Sequence, residues 1–108
     1  MRKSDVLFTM QYMKAKLYLR QKKTIGGITV EMVIWQLPAA TPDRPHGFKY
    51  RLYCGRDKEC LVRYDNETGK GDHIHYGNVE RTYRFVSADQ LISDFEADVM
   101  RLLGGKNV

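Results

Sequence analysis

A short polar stretch near the middle of the chain carries the residue types that acid–base chemistry requires. Residues 63–76 read RYDNETGKGDHIHY. His73 and His75 are two positions apart, so in a strand their imidazoles project from the same face. Asn66 and Gly69 tolerate a positive φ, which favours a turn before the histidines. The stretch therefore predicts a strand, a short polar loop and a second strand that returns beside the first.

Metal-free cleavage of RNA is the chemistry that suits these side chains best. One group must take the proton of the 2′-hydroxyl, another must protonate the leaving 5′-oxygen, and a cation must stabilise the phosphorane. Asp65 or Asp72 would orient one imidazole and favour its protonated form. The candidate catalytic residues are His73, His75, Asp65, Lys70 and Arg63. The candidate nucleic-acid-binding residues are Lys49, Arg51, Tyr53, Arg63 and Lys70.

Two other functions fit the same residues. A non-catalytic protein that binds RNA or a protein target would tolerate asparagine in place of both histidines, because asparagine cannot take up a proton. A metal-dependent enzyme would use His73 and His75, whose spacing can bind zinc, iron or nickel. The candidates for a third metal ligand are Asp65, Asp72, Glu80 and His46. The preferred hypothesis, metal-independent cleavage, needs no cofactor.

Some of these side chains also have purely structural explanations. The two histidines could simply form a polar strand face, and Arg63 with Asp65 could be an ordinary surface ion pair. We interpret Trp35 as a core residue rather than as a platform for a base. Several tyrosines could stack on bases but are also common in strands: Tyr53, Tyr64, Tyr76 and Tyr83.

The composition is that of one basic globular domain. The 108 residues can bury a single modest core. The net charge of +5 suits an acidic partner such as RNA, DNA or an acidic protein. No apolar run approaches the roughly 20 residues that span a bilayer, and no signal-peptide pattern is present. We therefore expect a cytoplasmic protein without membrane association, in which Cys54 and Cys60 are reduced.

Periodicity predicts six strands followed by one helix. The predicted strands are residues 13–23, 28–37, 48–54, 59–65, 72–76 and 81–86. Ser87 and Gln90 form a capping-box pattern at the start of a helix over residues 88–103, with Leu91, Phe95 and Val99 on its apolar side. The predicted fold class is α+β, an antiparallel β-sheet meander of five or six strands packed against one C-terminal helix.

The helix should cover one face of this sheet and leave the polar residues on the other. Within each strand, alternation separates the apolar from the polar side chains. If the strands align accordingly, the face opposite the helix carries Lys49, Arg51, Arg63, Asp65, His73 and His75. We expect Asp65 to lie close to His73, because the loop between them is only long enough to return the chain to the neighbouring strand.

The chain resembles the DUF6516 family, whose members are called TumE-type toxins of bacterial toxin–antitoxin systems. The matching segments are EMVIWQLP at 31–38, HGFKYRL at 46–52, RYDNETGKGDHIH at 63–75 and YRF at 83–85, followed by a helix containing Asp94 and Phe95. The similarity spans residues 13–103. The family usually has Gly-Asp-His-Arg-His, and here Ile74 replaces the arginine, which removes one cation.

The resemblance implies a growth-inhibiting toxin that is paired with a small helix-turn-helix antitoxin. Residues 1–12 look like an extension beyond the usual start of the family, and their own pattern suits an arm or a short helix, so we expect an N-terminal arm or short helix at residues 1–12 and a single α+β toxin-like domain at residues 13–108. The expected assembly is a heteromeric toxin–antitoxin complex or a homodimer. We expect the antitoxin to be acidic, because it must mask a basic surface. The expectation that the protein binds and cleaves RNA comes from its charge and its polar cluster.

Overall fold

A computed structural model describes residues 15–104, which form a six-stranded antiparallel sheet and one helix. The strands are β1 (Lys16–Ile25), β2 (Ile28–Gln36), β3 (Phe48–Arg56), β4 (Glu59–Asp65), β5 (His73–Tyr76) and β6 (Val79–Thr82), and the helix is α1 (Ala88–Leu102). Each strand pairs with its neighbours in sequence, so the sheet is a simple meander. The predicted α+β fold class is confirmed. The predicted arm or short helix at residues 1–12 lies outside the described residues.

The helix packs on one side of the sheet, which we call the helix face. Leu52 and Val62 from the sheet and Leu91 and Phe95 from α1 are completely buried. Alternate residues of a strand point to the same side, so β3 and β4 bury every second side chain against the helix. The buried core consists of Met32, Ile34, Tyr50, Leu52, Cys54, Val62, Tyr64, Leu91 and Phe95. The expected burial of Leu91 and Phe95 is thus confirmed.

The helix begins at the predicted cap, although only half of the capping box forms. The Ser87 hydroxyl accepts a hydrogen bond from the Gln90 backbone N–H at 3.0 Å. This bond satisfies one of the N–H groups that the first turn leaves without a partner. The Gln90 side chain does not reach back to Ser87 and instead donates to Asp94 at 2.7 Å. At the other end, Gly104 adopts a φ of 78°, the left-handed conformation that commonly follows a helix.

The first strand contains a bulge that the sequence pattern did not predict. Leu17 pairs with Trp35, whereas Leu19 pairs with Ile34, so the register shifts between the two leucines. Alternation predicted both leucines on one face, but the bulge places Leu17 on the side of Trp35 and Leu19 on the core side. Leu17 is accordingly 48% exposed, while Leu19 packs against the core.

The last strand lies earlier in the chain than residues 81–86, where it was predicted. It is β6, and the chain from residue 83 to residue 87 has no regular structure. The reason is a contact outside the sheet, because the Phe85 ring stacks on His46 with centroids 3.8 Å apart. Aromatic contacts of this kind draw the segment away from the ladder. The earlier strand places Glu80 directly opposite His75.

Candidate active site

The predicted polar residues lie on the side of the sheet opposite α1, which we call the site face. The alternation of side chains along each strand and the pairing of neighbouring strands place them there. Residues that are directly opposite each other on paired strands share a face. One row across the sheet runs Arg51, Asp65, His73, and the next row runs Tyr53, Arg63, His75, Glu80. Lys49 lies two residues before Arg51 on the same strand, so it shares this face. The register that the sequence analysis assumed is therefore the register of the structure.

Asp65 is a buried carboxylate at the centre of the site face. Its side chain accepts a hydrogen bond from Arg63 Nε at 2.8 Å, and His75 Nε2 lies 3.6 Å from its second oxygen. Asp65 is only 5% exposed, and a buried charge of this kind requires such partners. The 3.6 Å separation exceeds ordinary hydrogen-bond length, so Arg63 is the closer partner of Asp65.

His73 lies between two acceptors. Its Nδ1 is 2.7 Å from the carbonyl oxygen of Gly71, and its Nε2 is 3.1 Å from Oε1 of Glu80. A carbonyl oxygen can only accept, so the contact with Gly71 assigns a proton to Nδ1, and the Glu80 carboxylate faces the other ring nitrogen. The carboxylate that contacts His73 is thus Glu80, whereas Asp65, one of the two acids expected to orient an imidazole, lies beside the other ring, that of His75.

His75 has looser contacts than its neighbour. Its Nδ1 is 3.9 Å from the second Glu80 oxygen, and its Nε2 is 3.6 Å from Asp65. The two imidazole rings stand nearly parallel, with centroids 6.1 Å apart and an interplanar angle of 28°. Two histidines therefore lie side by side on a partly exposed surface, one in close contact with a carboxylate and the other held more loosely.

Asp72 faces the other side of the sheet. Its carboxylate accepts a hydrogen bond from the Tyr50 hydroxyl at 2.5 Å and lies 3.0 Å from His46 Nε2. His46 Nδ1 accepts from the Phe48 backbone N–H at 3.1 Å, so the proton that donates to Asp72 is on Nε2. Burial, reinforced by the hydrogen bond to Asp72, raises the pKa of Tyr50 far above its ordinary value. This cluster joins the loop before β3 to the loop before β5.

The three remaining predicted cations differ in their surroundings. Arg51 contacts Glu31 at 3.3 Å, and its guanidinium lies 5.1 Å from the centre of the Tyr53 ring. Lys49 lines a cleft on the site face. Lys70 is exposed at the tip of the β4–β5 loop, and its side chain makes no ion pair or hydrogen bond with any residue in the described range 15–104.

A cleft of about 400 Å³ opens on the site face beside Asp65. Its lining combines apolar, cationic and acidic side chains from β2, β3 and the end of β4. These residues are Glu31, Val33, Trp35, Lys49, Tyr50, Arg51, Asp65, Asn66 and Glu67. Trp35 is half-buried on this face and does not belong to the core, so its interpretation as a core residue is wrong.

The loop that carries Glu67 and Lys70 is held by Asn66, which the sequence suggested only as a turn residue, and by Arg44, which no sequence pattern singled out. The Asn66 side chain is 1% exposed and bonds to the backbone of β3, accepting from Tyr50 N at 3.0 Å and donating to Phe48 O at 2.7 Å. Arg44, also buried, donates to the Asn66 carbonyl at 2.8 Å. The proline-rich segment before β3 thereby supports the β4–β5 loop. No local pattern reveals this contact, which joins residues 22 positions apart.

Three of the four tyrosines proposed for stacking instead hold the helix. Tyr64 and Tyr76 donate to the Asp98 carboxylate at 2.5 and 2.6 Å. Tyr83 donates to Asp94 at 2.6 Å. Only Tyr53, among these four, lies on the site face.

Ile74 lies between the two histidines but points to the opposite side of the sheet. It packs against the core on the helix face, as strand alternation requires. The arginine that the family usually has at this position would therefore project away from the site face. Its replacement by isoleucine does not remove a cation from the two rows that carry the histidines.

The described part of the chain offers no preformed metal centre. Within residues 15–104, no group of three or more His, Cys, Asp and Glu side chains is arranged to hold a metal ion. Two of the candidate third ligands, His46 and Asp72, contact each other on the helix face. The absence of a cofactor stays a prediction.

None of the helices in residues 15–104 is long and apolar enough to cross a membrane.

Comparison with known proteins identifies the family. No curated protein and no solved structure matches the chain. A family model described as toxin TumE matches residues 2–103, a range that includes the whole sheet, both histidines and the helix. The resemblance found in the sequence is thereby confirmed. The chain belongs to the TumE toxin family.

Proposed function

We propose that this protein is the toxin of a bacterial toxin–antitoxin system and that it cleaves RNA without a metal ion. Membership of the TumE toxin family supports the toxin role and implies an antitoxin partner. The observation that carries the catalytic proposal is the pair of neighbouring imidazoles on the site face, with ring centroids 6.1 Å apart. Acid–base cleavage of RNA requires two such groups with opposite protonation states.

In the proposed reaction, His75 acts as the base and His73 as the acid. His75 accepts the proton of the 2′-hydroxyl, and the 2′-oxygen forms a bond to phosphorus. The bond from phosphorus to the 5′-oxygen breaks as His73 donates its proton to that oxygen. The products are a 2′,3′-cyclic phosphate and a 5′-hydroxyl, and proton exchange with water restores both rings. The assignment rests on Glu80, whose carboxylate lies 3.1 Å from His73 Nε2, whereas the nearest carboxylate oxygen to His75 is 3.6 Å away.

Arg63 and Lys70 are proposed to stabilise the negative charge of the phosphorane. Arg63 has a fixed position because its Nε bonds to Asp65. Its side chain is 30% exposed, and the residue lies in the same row as His75. Lys70 extends from the β4–β5 loop, which Asn66 and Arg44 hold in place. A lysine on this loop can reach toward a bound phosphate. Lys49, Arg51 and Tyr53 are proposed to bind the flanking nucleotides.

The proposed antitoxin is an acidic helix-turn-helix protein that forms a heteromeric complex with the toxin. Covering the site face would mask both the histidines and the cations, which explains inhibition by a simple steric and electrostatic mechanism. A homodimer of the toxin is the alternative assembly. Because RNA is the proposed target, we place the action of the toxin in the cytoplasm.

The catalytic proposal is tested by incubating the purified protein with RNA in the presence of a chelator. We expect cleavage products with 2′,3′-cyclic phosphate ends and no cleavage of an otherwise identical substrate that has 2′-deoxyribose at the scissile position. His73→Ala and His75→Ala should each lower the rate by about 10²- to 10⁴-fold, the usual contribution of a general acid or base. Lys23→Ala is the matched control, since Lys23 is exposed on β1 and lies outside the site face.

Asparagine substitutions separate catalysis from binding. His73→Asn and His75→Asn keep polar side chains that cannot transfer a proton at neutral pH. If both variants fold and still arrest bacterial growth, the toxin acts by binding and the catalytic proposal is wrong. If activity requires added zinc, iron or nickel and is lost with chelator, the metal-dependent hypothesis replaces it.

A further inference from the structure

The cleft on the site face has the size and position of a binding site for one nucleobase. Its volume of about 400 Å³ lies within the usual range of small-molecule sites, roughly 300–1,000 Å³. Asp65 belongs both to the cleft lining and to the histidine site, so the two regions are continuous. Neighbouring strands are about 4.8 Å apart, which puts the far wall on β2 about 14 Å from the histidines on β5. The cleft therefore begins at Asp65, beside the histidines, and extends from there toward β2, where the base of a nucleotide next to the scissile phosphate could lie.

The cleft lining offers the three kinds of contact that a nucleotide needs. Val33 and the half-buried Trp35 provide an apolar wall on β2, where a base can pack. Lys49 and Arg51 place cations along β3 for a neighbouring phosphate. Glu67 lies at the cleft rim, at the start of the β4–β5 loop. This combination of aromatic, cationic and acidic groups favours a base over a purely apolar ligand.

Glu67 gives the cleft its selectivity. Its side chain is exposed and forms no ion pair or hydrogen bond with the described residues 15–104. The preceding residue, Asn66, is buried and bonded to β3, so the backbone that carries Glu67 has a fixed position. An ionised carboxylate can only accept hydrogen bonds, and its two oxygens suit two parallel N–H donors. By contrast, Glu31 already has a partner in Arg51.

Among the four bases, guanine is the one that presents two adjacent donors on its Watson–Crick edge. Its N1–H and exocyclic amino group point the same way and match a carboxylate in a bidentate contact. Adenine and cytosine each present one amino group beside an acceptor nitrogen, and uracil presents one N–H between two carbonyl oxygens. A carboxylate opposite those acceptors is repelled. The chemistry of the rim therefore discriminates in favour of guanine.

We propose that the cleft lined by Trp35, Arg51 and Glu67 binds the base adjacent to the cleaved phosphate and selects guanine through the Glu67 carboxylate. This inference rests on the proposed ribonuclease function and names the specificity residue of the same site. Glu67 is a specificity residue and does not take part in proton transfer.

Binding of uncleavable RNA tests the inference without relying on catalysis. Short uridine oligonucleotides with 2′-O-methyl riboses have no 2′-proton to remove, and one position at a time is changed to G, A or C. We expect fluorescence anisotropy to show that guanine at one position binds about ten- to a hundredfold more tightly, the usual selectivity of one bidentate contact. Glu67→Gln should abolish this preference, because its amide presents one donor and one acceptor. Glu59→Gln is the matched control, since Glu59 is exposed at the other end of β4.

Two outcomes separate this inference from the proposed function. Cleavage that depends on the histidines but shows no base preference, or a preference that Glu67→Gln leaves unchanged, overturns the guanine site and leaves the ribonuclease proposal intact. A guanine preference that Glu67→Gln removes, in a protein that cleaves no RNA, supports the cleft and overturns the catalytic proposal.

Discussion

At the scale of single residues, two histidines that look equivalent in the sequence have different environments on the site face. His73 donates to a carbonyl on one side and contacts Glu80 on the other, whereas His75 lies beyond 3.5 Å from both nearby carboxylates. The difference arises because β6 begins at Val79 and thereby brings Glu80 across from β5. Glu80 is thus the residue that separates the proposed acid from the proposed base.

We predict that Glu80→Gln lowers RNA cleavage about tenfold at neutral pH. The change replaces the charged acceptor of His73 with a neutral amide oxygen, and the difference between a charged and a neutral hydrogen bond, about 1–1.5 kcal/mol, corresponds to roughly a tenfold change in rate. The measurement is the initial rate of both proteins at limiting and at saturating RNA, beside the free energy of unfolding of each in urea. A loss of rate that only follows a loss of stability would indicate a purely structural role for Glu80.

At the scale of secondary-structure elements, the helix is fastened to the sheet by carboxylates as well as by its apolar side. Phe95 fills the core, and one turn later Asp98 accepts hydrogen bonds from Tyr64 and Tyr76. Burial opposes the charged form of Asp98, but the hydrogen bonds from both tyrosines and from Arg101 outweigh it and lower the pKa of Asp98 below its usual value. The ionised carboxylate therefore stabilises the packing of α1 on the sheet.

We predict that Asp98→Asn destabilises the fold by about 1.5–3 kcal/mol at pH 7, the range for hydrogen bonds to charged groups. Because the pKa of Asp98 is lower in the folded state, its stabilisation is present above the unfolded value, near 3.9, and is lost as the pH falls through the folded value. Urea unfolding at several pH values should show wild type and variant converging below about pH 4. Glu96→Gln, on the exposed side of α1, is the control. A difference that does not depend on pH would contradict the assignment.

At the scale of the whole molecule, the net charge of +5 is only partly available to a partner on the site face. Arg51 and Arg63 are already paired with Glu31 and Asp65. Lys70, in contrast, is exposed on its loop with no ion pair among residues 15–104. Lys70 should therefore contribute more than these two arginines to the attraction for RNA or for an acidic antitoxin.

We predict that Lys70→Ala weakens RNA binding and reduces its salt dependence. Loss of one phosphate contact should lower the slope of log affinity against log salt concentration by about 0.7, the value for single strands. The same variant should associate less tightly with the antitoxin, measured at low and moderate salt. Lys23→Ala, which removes an equal charge outside the site face, should change neither slope nor affinity appreciably. Antitoxin association that is insensitive to salt would refute the electrostatic explanation.

The sequence by itself determined the features that depend on local periodicity. Alternation within β3, β4 and β5 was sufficient to separate the polar from the apolar side chains, because the side-chain period of a strand is two residues. The serine cap and apolar spacing located α1 to within one residue at its C-terminal end. Strand alternation and the length of the β4–β5 loop were likewise enough to predict that His73, His75 and Asp65 lie close together.

Tertiary structure alone decided the features that depend on partners distant in sequence. The bulge between Leu17 and Leu19 reverses the face of part of β1, and no local pattern marks it. Asp72 bonds to His46, 26 residues away, a partner that no local pattern indicates. Glu80 reaches His73 because β6 begins at Val79, before the predicted start at residue 81, and so sets Glu80 across from β5. The physical reason is that periodicity specifies which way a side chain points along its own strand, whereas its partner depends on the packing of the whole chain.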